Sequence, residues 1–217
     1  MSFIEYVSQK AMPVWQKCLE TDFVQGIGKG TLEKERFKHY IIQDSIYLRN
    51  FARVLAMGIV KSSEISKIKA FYSLLTFVNA DEGDTRLNYL KEFGITEKEA
   101  DKYPEHPSNK AYTDFMMECA DKGNIMEILF SALPCMFSYY WIFTELVKEY
   151  PECRKGYYAP LINDYTDISY AQICKEWSDF ADKLCYNISE KQKNKLCEIY
   201  LKSSYYELEF WNMEEGQ

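Results

Sequence analysis

Apolar side chains recur along most of this chain at the three- and four-residue spacing of an amphipathic helix. Between positions 37 and 55 they fall at Phe37, Tyr40, Ile41, Tyr47, Leu48, Phe51, Val54 and Leu55, which a helix of 3.6 residues per turn gathers on one face. No segment alternates apolar and polar residues between hairpin turns as a strand would. Helix starts are signalled by Thr96…Glu99 and Ser189…Gln192, each fitting the capping box in which a hydroxyl and an N3 side chain satisfy free backbone donors. Thr31 stands before a turn carrying Glu33 and Glu35, and acids there suit the positive end of a helix dipole. Breaks are expected at 26–30, 61–64, 92–97, 103–109, 121–124, 150–156 and 186–190, leaving roughly seven or eight helices. No repeat or low-complexity linker divides the chain, so the pattern predicts an all-α helical bundle in a single domain over 1–217.

Two acids interrupt this pattern. Asp44 follows Tyr40 by four residues and Ile41 by three, and precedes Tyr47 by three and Phe51 by seven, so it shares their face. Glu207 follows Ser203 by four and precedes Phe210 and Trp211 by three and four, while Glu209 is rotated toward solvent. Burying a carboxylate costs several kcal/mol unless it is paired or hydrogen-bonded. Each acid therefore has either a structural partner or a chemical task, since acids with raised pKa values serve acid–base catalysis at neutral pH.

The most apolar segment, 124–146, contains Pro134 followed by Cys135, with Tyr139 one turn further on. Pro134 cannot donate to the carbonyl of Phe130, so the helix is expected to kink or loosen just before the cysteine. The uncharged stretch from Ile128 to Phe143 is shorter than the roughly 20 residues of a membrane span, and a buried helix is expected. Cys135 is a small hydrophobe, the commoner role of a buried thiol, or a nucleophile; two buried acids and many tyrosines add weight to the second and leave the first open.

Composition narrows the field. The chain holds 18 Tyr, 13 Phe and 4 Trp among 217 residues, and its formal net charge is −7. No dense Lys/Arg tract offers a footprint for nucleic acid or an anionic membrane. The first residues show neither a basic start nor an apolar run, so no signal peptide is expected and a cytoplasmic location follows. Seven cysteines without a C-x-x-C pair are expected as free thiols. Of the two histidines, His106 lies in a Pro-flanked loop and is expected at the surface, while His39 lies beside the Asp44 stripe. With no Glu-x-x-His there is no ligand set for a di-iron centre, and neither a metal site nor a cofactor is expected.

Three strings together resemble the TenA/thiaminase II family, in the branch that keeps an active-site cysteine. "QDSIYLRNFAR" (43–53) is similar to its Q-D-x-x-Y-L-x-x-F-x-R pattern, "PCMFSY" (134–139) to P-C-x-x-x-Y, and "SSYYELEFWNM" (203–213) to S-S-x-x-E-x-x-F-W-x-M. The resemblance runs nearly end to end. It implies a haem-oxygenase-like fold, usually a homotetramer, that uses neither haem nor metal and hydrolyses thiamin-related pyrimidines. Substrates would be 4-amino-5-aminomethyl-2-methylpyrimidine, giving the 5-hydroxymethyl compound and ammonia, or thiamin, giving that pyrimidine and the thiazole.

Carried residue by residue, the resemblance makes Cys135 the nucleophile that adds to the pyrimidine ring. Glu207 would be the acid/base at the leaving group, and Tyr47 would help activate the thiol. Asp44 would hold the aminopyrimidine edge, and Tyr112, Tyr139, Phe137 and Tyr165 would line the site. Leu161 stands where the family's W-I-x-x-Y element has Trp, Ser45 where an aromatic is common, and Gly83 and Asp84 follow Glu82 where bulkier neighbours are expected. These departures bear on the preferred leaving group more than on the reaction class. A pyrimidine- or thiamin-binding regulatory protein on the same fold is the alternative, but binding alone needs neither a nucleophile nor an acid.

Overall fold

In the computed structural model, which describes residues 1–213 apart from the side chains of 77–84, the capping signals start helices where the sequence places them. Thr96 and Ser189 close their capping boxes with Glu99 and Gln192, and Ser2 does the same with Glu5. Ten α-helices and one 3₁₀ turn follow along the described chain: α1 (Phe3–Leu19), α2 (Asp22–Lys29), α3 (Lys34–Val60), α4 (Ile65–Glu92), α5 (Glu97–Ala100), α6 (Pro107–Lys122), α7 (Ile125–Glu149), the 3₁₀ turn (Pro151–Lys155), α8 (Ala159–Thr166), α9 (Ile168–Leu184) and α10 (Glu190–Trp211). No strand occurs among the described residues. The departures Glu82, Gly83 and Asp84 lie outside the described side chains.

The count exceeds the expected seven or eight because two breaks carry no Gly or Pro. Thr21 accepts a hydrogen bond from the Val24 N–H and so starts α2 two residues after α1 ends. Asp167 ends α8 and caps α9 by accepting from the Ser169 N–H. Thr31 does not cap α3. Its N–H and that of Leu32 both donate to the Gly26 carbonyl, completing the end of α2, where Gly30 takes the left-handed conformation at φ 69°. Glu33 occupies the N-cap of α3 without a side-chain cap bond.

His106 also departs from expectation: it is buried, not at the surface. It caps α6, its Nδ1 accepting from the Ser108 N–H at 3.2 Å, and its ring stands edge-on to His39. Gln43 sews this loop to α3. Its amide donates to the Pro104 carbonyl at 2.9 Å and accepts from the His106 N–H at 2.9 Å, while Asn109 donates to its backbone carbonyl at 2.8 Å. Polar residues flanked by prolines thus become buried because one side chain of α3 meets their backbone groups.

α7 is the central helix, packed against α10, α9, α3, α6, α8 and α1. By length and composition it is the one described helix that could cross a bilayer, yet most of its apolar window is buried inside the bundle. It runs continuously through Pro134. α3 and α4 lie close together because Gly58 has no Cβ to meet the Phe71 ring. Around α7 the tyrosines fill the core with their rings while their hydroxyls find partners, which suits an interior that must hold polar groups.

Candidate active site

The inward face of α3 carries Tyr40, Asp44, Tyr47 and Phe51, all buried, as the spacing predicts. Asp44 is 9% exposed and accepts no hydrogen bond from a described residue, so its carboxyl retains acceptor capacity inside the bundle. Burial pushes its pKa up to about 7, against the opposing charge of Arg86. Arg86 reaches in from α4, donating to Ser45 Oγ at 2.8 Å and pairing with Glu97 at 3.0 Å. Ser45 in turn donates to the Ile41 carbonyl.

Opposite, α10 presents Glu207, 2% exposed. The Tyr112 hydroxyl donates to its Oε1 at 2.6 Å, and the Cys135 thiol donates to the same carboxylate. Burial raises the Glu207 pKa to about 8; the Tyr112 bond opposes this, the negative charge of Asp44 adds to it, and the Cys135 bond opposes it. The Tyr47 hydroxyl donates to Met116 Sδ at 3.8 Å and lies within electrostatic reach of Cys135, Tyr112 and Glu207. Tyr47, Tyr112, Cys135 and Glu207 therefore form one buried polar cluster assembled from α3, α6, α7 and α10. Burial holds both tyrosine pKa values well above the ordinary range, so both remain proton donors at neutral pH.

Cys135 is half-buried and, like the other six cysteines, a free thiol. Its helix runs parallel to α10 in a fixed register: Ser131 meets Ser203, Cys135 meets Glu207 and Tyr139 meets Trp211, each pair 72 positions apart. Tyr139 packs on Trp211 at 4.7 Å and on Tyr165 at 4.9 Å, and the Tyr40 hydroxyl donates to its oxygen at 3.4 Å. Tyr165 itself stacks on Phe143 at 5.1 Å. Burial, with the neighbouring Tyr40, Glu207 and Cys135, holds the Tyr139 pKa well above the ordinary range. Phe137 differs: two residues from Cys135, it is turned by about 200° around α7 and lies half-buried away from the thiol.

The structure thus brings Asp44, Tyr47, Tyr112, Cys135, Tyr139 and Glu207 together, with Tyr165 behind Tyr139 and Phe137 on another face. It adds four residues that sequence reasoning missed. Tyr40 stacks on Trp211 at 5.4 Å with ring planes 9° apart, and Phe210 stands edge-on to Tyr47 at 5.6 Å. Both belonged to apolar stripes and gave no separate signal. Arg86 lies on a helix remote in sequence from Asp44. The fourth, Ser203, was visible only as part of the closing "SSYYELEFW" string.

The family model described as TENA/THI-4/PQQC family matches residues 8–217. An aminopyrimidine aminohydrolase of Helicobacter pylori is 33% identical over 214 residues, covering 98% of each chain. A solved TenA homologue from P. horikoshii superposes with a TM-score of 0.86 at 28% identity, covering 98% of each chain. A TenA family transcription regulator from a Silicibacter species gives a TM-score of 0.87 at 26% identity, over 97% of this chain and 95% of that one. The all-α bundle is accordingly of the haem-oxygenase-like type.

Proposed function

The chain belongs to the TENA/THI-4/PQQC family, and we propose that it is a hydrolase of thiamin-related aminopyrimidines that works by cysteine nucleophilic catalysis in thiamin salvage. What supports this reading is the contact between the Cys135 thiol and a Glu207 carboxyl that burial has raised to about 8. A carboxyl raised in this way is a stronger base toward a thiol than an ordinary one, and it can return the proton to a leaving group. A pocket that only bound a pyrimidine would need neither group.

In the proposed reaction Glu207 takes the thiol proton and the Cys135 sulfur forms a bond to a pyrimidine ring carbon. The carbon–nitrogen bond at the 5-methylene breaks as Glu207 returns the proton to the departing amine. Water then adds to the methylene carbon, giving its proton to Glu207, and the thiolate is expelled as the ring regains its aromaticity. The balance is aminomethylpyrimidine plus water to hydroxymethylpyrimidine plus ammonia. With thiamin the thiazolium leaves as neutral thiazole without taking a proton, so the same residues serve and one proton passes to solvent.

As the thiolate forms, the Tyr47 hydroxyl turns from Met116 to the Cys135 sulfur and steadies it, the thiolate being the reactive form. Tyr112 fixes the orientation of the Glu207 carboxyl. Asp44, with acceptor capacity unspent, takes the amine edge of the pyrimidine; a carboxyl near 7 can also share a proton with the ring nitrogen. Tyr139 lies against the ring, with Tyr165 supporting it. A cytoplasmic homotetramer completes the proposal. The deciding experiment compares kcat/KM for 4-amino-5-aminomethyl-2-methylpyrimidine and thiamin on the purified protein, following ammonia and thiazole release. Turnover of neither would overturn the hydrolase reading in favour of a binding role.

A further inference from the structure

Resting on that reading, we propose that Ser203 is a positioning residue: its hydrogen bond to the Ser131 carbonyl locks the register of α10 on α7 and so holds Glu207 at the Cys135 thiol. Ser203 is fully buried and donates to the Ser131 backbone oxygen at 2.9 Å. Glu207 lies four residues beyond Ser203 and Cys135 four beyond Ser131, so on parallel helices both functional groups stand one turn above the clamp, a rise of about 6 Å on each. In a regular helix the Ser131 carbonyl is also the acceptor for the Cys135 backbone N–H. The clamp therefore grips the turn of α7 that carries the nucleophile, at the place where Pro134 removes one ladder bond.

The remainder of this seam cannot set the register as sharply. Its flanking contacts are rings, Phe130 on Tyr200 at 6.2 Å and Tyr139 on Trp211 at 4.7 Å. Apolar packing is non-directional, whereas a hydroxyl-to-carbonyl bond is lost over a fraction of an ångström. The adjacent Ser204 faces a different helix: its hydroxyl accepts from Trp15 Nε1 at 3.2 Å and donates to the Tyr200 carbonyl at 3.0 Å, tying α10 to α1. One serine of the pair secures the helix to the bundle, and the other aligns the acid with the thiol.

The two serines supply their own comparison. Ser203→Ala should lower kcat for ammonia release about tenfold or more with KM within about twofold, since small misplacements of reacting groups carry costs of that order. It should also displace the pH profile of Cys135 alkylation by iodoacetamide, followed on the Cys135 peptide by mass spectrometry. Ser204→Ala should reduce the melting temperature at least as much while leaving kcat within about twofold and the alkylation profile in place. Ser203→Thr, which keeps the hydroxyl, should restore most of kcat. Should Ser203→Ala not fold, Ser203→Cys, of similar volume but a weak donor, is expected to give the kinetic defect instead. Equal kcat losses in the Ser203 and Ser204 variants, or an unshifted alkylation profile in the Ser203 variants, would overturn the clamp. If the wild-type protein turns over neither pyrimidine nor thiamin, the hydrolase reading fails, and the alkylation profile alone then upholds or overturns the clamp.

Discussion

The Cys135 thiol donates to the Glu207 carboxylate across two helices that run parallel, from positions 72 apart in the chain. Neither residue is exceptional alone: burial makes most cysteines inert, and it makes most carboxyls unfavourable. In the proposed reaction their contact makes them a proton-exchanging pair, because the environment that raises the acid leaves it able to accept from a thiol and give to an amine.

Replacing the sulfur tests the pair most directly. Cys135→Ser should reduce ammonia release by at least about a thousandfold, because a serine hydroxyl is a far weaker nucleophile than a thiol without a strong base beside it. Pyrimidine binding should survive, since Asp44 and the tyrosines are untouched. Turnover near the wild-type rate would remove Cys135 from the nucleophile's place.

Glu207→Gln keeps the shape and removes the titration. Loss of a general acid–base group should lower kcat about 10²- to 10⁴-fold. The same variant has a stability signature whose sign follows from the raised acid. The unfolded carboxyl titrates near 4.3 and the folded one near 8. Its contribution is fully present below the unfolded value and is lost as pH rises toward 8, at about 1.4 kcal/mol per unit of difference. Asp44, raised to about 7, acts in the same direction. The melting temperature of the wild-type protein should therefore fall more between pH 5 and pH 8.5 than that of Glu207→Gln. Parallel curves for the two proteins would contradict the raised titration of Glu207.

Much of this site is legible in one dimension because helical spacing exposes a misplaced acid. Asp44 and Glu207 stand out as charges on apolar stripes, and both prove buried. What periodicity cannot supply is the partner across the bundle. Arg86 reaches Asp44 from another helix, the Ser203 hydroxyl meets a backbone carbonyl 72 positions away, and Gln43 buries a loop whose prolines suggested the surface. Phe137, which the resemblance puts in the wall of the site, is turned about 200° around α7 from Cys135. Helix boundaries fail where Thr21 and Asp167 make a break by capping alone, without a helix-breaking residue.

Removing the carboxyl on α3 separates binding from chemistry. Asp44→Ala should weaken binding of hydroxymethylpyrimidine about thirtyfold or more, as expected for loss of a buried charge-assisted hydrogen bond worth about 2 kcal/mol or above. Isothermal calorimetry with the product measures this without interference from turnover. An unchanged affinity would assign Asp44 to a structural partnership with Arg86.

The bond from Tyr112 to Glu207 gives the finest test, because it predicts a direction that simple loss of packing does not. At 2.6 Å the tyrosine hydroxyl stabilises the carboxylate and holds its pKa below the value that burial alone would impose. Tyr112→Phe removes that bond and keeps the ring, which packs on Tyr47 at 5.2 Å and stacks on Tyr206 at 5.4 Å. The Glu207 pKa should then rise further, so the acidic limb of the kcat profile should move to higher pH while kcat at its optimum falls. A structural defect alone would lower the whole profile without displacing the limb. Movement of that limb to lower pH would mean that Tyr112 supports the protonated acid, reversing the role assigned to it.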